Sequence, residues 1–87
     1  MPHVTVKLWP GQSASSIRQL SGQILASVTE TLGFSRESVS IAFEEVEPGA
    51  WMERVYRPEI AERWPLLTER PGYGPGPDPS PTNLIQE

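Results

Sequence analysis

Met1-Pro2-His3-Val4-Thr5-Val6-Lys7-Leu8-Trp9 is the stretch that decides the fold. Val4, Val6 and Leu8 alternate with Thr5, Lys7 and Trp9, the period-2 pattern of a half-buried strand. Working outward, Pro10-Gly11-Gln12 reads as a turn and Ser13 as a helix N-cap. Ile17, Leu20, Ile24, Val28 and Leu32 then recur at three- and four-residue steps, predicting an amphipathic helix of about five turns, with Gly33 as its C-cap. Val39, Ile41 and Phe43 alternate with Ser40, Ala42 and Glu44, a second strand. Strand, long helix and strand make a right-handed crossover with parallel strands. The fold class is therefore α/β, with one βαβ unit filling the first half of the chain.

Beyond it, Glu47-Pro48-Gly49 signals a turn. Trp51 to Tyr56 is ambiguous. Pro58 is suited to the first position of a short helix, with Glu59 in its first turn, running to about Glu62. Pro65 predicts a kink or a second turn after that. From Gly72 the composition turns to Gly and Pro, which cannot pack a core. The expected organisation is one domain over residues 1–73 and a Pro/Gly-rich disordered tail over 74–87.

The 87-residue chain allows one small core, which usually needs disulfides, a metal or self-association. Cysteine is absent and His3 is the only histidine, so disulfides and thiolate- or His-rich metal sites are excluded. Self-association is the remaining remedy. With a net charge of −4 and Lys7 as the only lysine, a basic nucleic-acid face is not expected. No stretch approaches the roughly 18 apolar residues of a membrane span, and no secretory leader pattern is present. The expected location is the cytoplasm.

The start of the chain also carries a chemical possibility. Removal of Met1 leaves Pro2 with a free secondary amine, held in place by the strand behind it. An α-amino group ordinarily titrates at roughly 7.7–8.0, and apolar burial lowers that value. Such an amine is a fixed base, unprotonated near neutral pH, suited to proton transfer. The plain alternative is a proline at a strand start, where its missing N–H does no harm.

The layout as a whole resembles the small tautomerases of the 4-oxalocrotonate tautomerase type. The features that carry the resemblance are Met1-Pro2, Pro10-Gly11-Gln12-Ser13, Leu32-Gly33, Ser38 through Val46, and Trp51 after the turn. Val55-Tyr56-Arg57-Pro58-Glu59-Ile60 and Pro71-Gly72-Tyr73 are similar to the phenylpyruvate-tautomerase-like subgroup. The resemblance spans Met1 to about Tyr73. It implies a tautomerase-type βαβ subunit with a short C-terminal helical segment, dimerising into a four-stranded sheet, with a hexamer as the second possibility. It implies that Pro2 is the catalytic base and then acid for keto–enol isomerisation of a small molecule, without metal or organic cofactor. Diacid-specific members carry arginine at the positions of Gln12 and Ser40, and a neutral amide or hydroxyl cannot replace a bidentate guanidinium. An α-keto monoacid such as a phenylpyruvate-like compound is therefore the expected substrate.

Trp51 stands where the family keeps an aromatic that dries the site; its plain reading is a core or interface residue. Arg54 and Arg57 are candidates for the substrate carboxylate, and otherwise surface groups. Glu44, Glu45 and Glu47 look like a carboxylate cluster, but neighbours in a strand point to opposite faces, which favours a solvated edge. His3 lies beside Pro2 and either tunes it or faces solvent or an interface. Two other functions compete. The same amine supports hydration, dehalogenation or imine formation, and the scaffold also suits a non-catalytic assembly protein.

Overall fold

The computed structural model describes residues 1–77, and its contacts divide into two units, Met1–Glu47 and Pro48 onward. In the first, strand β1 (His3–Leu8) leads to helix α1 (Ala14–Leu32), a single 3-10 turn (Arg36–Ser38) and strand β2 (Ser40–Glu45). The strands pair in parallel, with His3 opposite Ser40 and Leu8 opposite Glu45. The βαβ expectation therefore holds. Two backbone bonds extend the ladder past both ends: Ser40 N–H donates to the Pro2 carbonyl (3.1 Å) and Val46 N–H to the Leu8 carbonyl (2.9 Å).

The turn into α1 uses Gly11 at φ 121°, a conformation that favours glycine. Ser13 caps the helix, its Oγ accepting from Ser16 N–H at 3.1 Å. Gly33 ends it at φ 78°, its N–H donating to the Thr29 carbonyl at 2.9 Å. Val4, Val6, Ile41 and Phe43 are half-buried, while His3, Thr5, Ser40, Ala42 and Glu44 are exposed on the opposite face. Of the first unit's side chains only Val46 is buried, and α1 has no buried residue. Its apolar surface is largely uncovered: Trp9 is 55% exposed and Leu32 59%, with Leu20 and Phe34 also exposed.

The second unit opens with α2 (Pro48–Trp51), which runs directly into a ten-residue π-helix, Met52–Ala61. Here the structure differs from the sequence reading, which placed Pro58 at the start of a new helix. Pro58 lies inside the π-helix instead. A proline ring within an α-helix collides with the carbonyl four residues back, here that of Arg54, and forfeits one hydrogen bond. The wider i→i+5 winding relieves that collision, and Glu62 N–H donates to the Arg57 carbonyl across five residues at 3.0 Å. Among the described residues, Val55, Tyr56 and Ala61 are this unit's buried side chains. A 3-10 turn at Trp64–Leu66 follows, the second turn expected from Pro65, and the Arg70 guanidinium lies 5.2 Å from the centre of the Trp64 ring.

The expected tail over 74–87 falls largely on residues 78–87, which lie outside the described residues. Before them, Gly76 N–H donates to the Tyr56 hydroxyl at 2.7 Å. Among the described residues, no helix is long and apolar enough to cross a membrane.

Candidate active site

Pro2 is half-buried, and its carbonyl is tied by Ser40 N–H to the first residue of β2. That bond fixes the end of the chain against the sheet, one residue before β1 begins. Met1 projects from it and is 93% exposed.

Ser40, opposite His3, turns its hydroxyl to the histidine: Oγ lies 2.6 Å from His3 Nδ1. Thr5 Oγ1 lies 3.2 Å from His3 Nε2. The imidazole is thus bridged by two hydroxyls on the exposed face of the sheet. The sequence singled out His3 and Ser40 separately but not Thr5. The signal was there: positions 3 and 5 share a strand face, and the parallel register brings 40 beside them.

Gln12 is exposed in the turn after β1. Pro2 precedes β1 and Gln12 follows it, so the length of the strand separates them by roughly 20 Å. Within one chain, Gln12 and Pro2 cannot touch the same small substrate.

Trp51, Arg54 and Arg57 belong to the second unit. Trp51 is half-buried and its Nε1–H donates to the Tyr73 hydroxyl at 2.9 Å. The Tyr73 ring packs on that of Tyr56, with centroids 5.5 Å apart and a tilt of 49°. Gly74 has φ 84°, and a Cβ there would collide with the Tyr56 ring. Trp51, Tyr73, Tyr56 and Gly76 therefore form one connected arrangement that sets the indole's orientation. Tyr56 and Tyr73 were not read from the sequence as acting on Trp51, because a contact across 22 residues of irregular chain leaves no periodic trace.

Arg54 and Arg57 are both exposed. Arg57 joins Met52, Tyr56, Ala61 and Pro75 around a cavity of about 130 Å³. Glu44 and Glu45 alternate along β2, and no group of three or more His, Cys, Asp or Glu side chains among the described residues converges as a metal site.

A parallel βαβ unit is shared by many proteins, and comparison with known proteins supplies the family. The family profile described as "Tautomerase enzyme" matches residues 2–55. The chain is 38% identical to a protein named "Probable tautomerase" from Xylella fastidiosa, over 85% of this chain and 90% of that one. It is 35% identical to "Tautomerase PptA" of Pectobacterium atrosepticum, over 84% of this chain and 97% of that one. Among solved structures, TomN, a 4-oxalocrotonate tautomerase homologue in the tomaymycin biosynthetic pathway, superposes with TM-score 0.54 at 32% identity, covering 74% of this chain and 95% of its own. YwhB, a homologue of 4-oxalocrotonate tautomerase, gives TM-score 0.52 at 35% identity, over 53% of this chain and 75% of that one. The chain belongs to the tautomerase family. It is an isomerase that moves a proton between keto and enol forms.

Proposed function

We propose that the proton carrier is the secondary amine of Pro2, freed by removal of Met1, and that the substrate is an α-keto monoacid of the phenylpyruvate kind. The observation that carries this reading is the Ser40 N–H to Pro2 carbonyl bond, which holds a half-buried Pro2 at the sheet edge. The family match beginning at residue 2 supports it. The neutral amine accepts the enol O–H proton as the carbonyl forms. The electron pair of the C=C bond then takes that proton from the ammonium, leaving the keto acid and a neutral amine. One group serves both steps because the amine holds the proton between them.

The neutral residues at Gln12 and Ser40 support a monoacid. A second carboxylate near either would be desolvated without a cation. The strand's length between Gln12 and Pro2 supports a site completed by a second copy of the chain, a homodimer at least, with a trimer of dimers as the larger alternative.

The test is intact mass together with Pro2→Ala, assayed on phenylpyruvate enol. The mature protein should lack Met1, and the variant, whose amine is primary, should lose at least about 100-fold in kcat/KM. Wild-type kcat/KM should fall toward acid pH, because a protonated amine cannot accept the enol proton. Full turnover by Pro2→Ala, or by protein that keeps Met1, overturns the assignment.

A further inference from the structure

We propose that the π-helix Met52–Ala61 builds a binding cavity for a single aromatic ring, and that Pro58 keeps the cavity in being by fixing the winding. The cavity is lined wholly by residues of the second unit, and the inference does not rest on the role given to Pro2.

The winding decides which side chains share a face. In an α-helix, at about 100° per residue, Arg57 would point about 140° away from Met52 and Ala61 about 180° away. Bonds from i to i+5 change this, because side chains five apart then stand nearly above one another and those four apart lie just to one side. Met52 and Arg57 are five apart, as are Tyr56 and Ala61; Met52 and Tyr56 are four apart, as are Arg57 and Ala61. The π-winding therefore gathers all four onto one face, and these four line a cavity of about 130 Å³. Pro75 supplies the rest of the lining, beside Gly76, whose N–H is bonded to the Tyr56 hydroxyl (2.7 Å). Pro58 sits inside this helix, where its ring opposes the α-winding that would disperse the four.

The lining selects an aromatic occupant. A thioether makes favourable contact with a ring edge, a guanidinium stacks on a ring face, and a phenol ring packs against another ring. Met52, Arg57 and Tyr56 supply these three, while Ala61 and Pro75 add small apolar surface. Met52 and Arg57 are exposed and leave a way in from solvent, whereas Tyr56 and Ala61 are buried. A cavity of roughly 150 Å³ holds benzene, so 130 Å³ takes one ring and not a fused pair.

Met52 provides the probe. Met1 and Met52 are the only methionines, and Met52→Leu identifies which methyl signal in an NMR spectrum is which. The full-length protein is titrated with benzyl alcohol and with cyclohexylmethanol, its saturated counterpart. Benzyl alcohol should shift the Met52 methyl saturably, and cyclohexylmethanol should need about ten times the concentration to displace it. Ala61→Leu, which fills the cavity and leaves Pro58 in place, should abolish the saturable shift. The winding is read separately with nickel, which two imidazoles on one face can hold. Positions three apart are neighbours in an α-helix and not in a π-helix. Arg54→His with Arg57→His should therefore bind nickel weakly while Pro58 is present and at least about tenfold more tightly once Pro58→Ala is added, whereas a variant that merely unfolds gains nothing. A methyl signal that benzyl alcohol does not shift saturably, or equal effectiveness of the two alcohols, overturns the aromatic site. Nickel affinity that Pro58→Ala leaves unraised overturns the role of Pro58.

Discussion

Gly74 is a single residue on which the orientation of Trp51 depends. Its positive φ and the closeness of the Tyr56 ring leave no room for a side chain. The Tyr56 hydroxyl beyond that contact accepts from Gly76 N–H, and Tyr73 just before it accepts from the indole. Gly74→Ala should cost about 1–3 kcal/mol in chemical denaturation, through steric overlap and a strained backbone. It should also loosen Trp51, read as greater quenching of its fluorescence in a variant where Trp9, Trp64 are phenylalanine. An Ala variant as stable as wild type would show that the ring moves aside freely. At this scale the sequence was only partly legible. Pro2 and His3 stood out by their place at the start of the chain, and Ser40 through the family resemblance. Thr5 and Tyr73 did not, since what they do depends on a partner whose nearness only the folded chain reveals.

The elements were more legible because their signals are local. Ser13 and Gly33 delimit α1 through hydrogen bonds to residues three and four positions away. Such short-range chemistry is written directly into the chain. Ser13→Ala should therefore cost about 1 kcal/mol, by leaving a helix-end N–H without its acceptor; Ser13→Asp should retain most of that stability. The Pro58 segment was misplaced for a physical reason. A proline is as acceptable in the first turn of a helix as in a wider π-winding, and the chain from Trp51 to Ala61 has no capping residue that separates the two. The extent of β2, Ser40–Glu45, likewise depends on its pairing with β1 and not on its own composition.

For the whole molecule, the sparse interior is the dominant fact. Four buried side chains, Val46, Val55, Tyr56 and Ala61, are few among 77 described residues, and α1 adds none. Burying a Leu or Phe side chain contributes roughly 1.5–3 kcal/mol, so covering the exposed Leu20, Leu32 and Phe34 by association would add stability. Light scattering should report a homodimer or larger, and Leu20→Lys with Leu32→Lys should shift it toward monomer and lower Tm. A wild-type monomer at micromolar concentration would contradict this.

The bond from Ser40 N–H to the Pro2 carbonyl has a kinetic consequence as well. It joins the chain's beginning to a strand that follows α1, and the neighbouring His3–Ser40 contact spans 37 residues. Helices form in about a microsecond, whereas parallel pairing waits for a long loop to close. Pro2 is therefore not fixed against β2 until this non-local pairing has formed. In stopped-flow refolding, helical circular dichroism should recover first and tautomerase turnover should lag behind it. Turnover would then serve as a clock for sheet closure, timed by the chain's own chemistry.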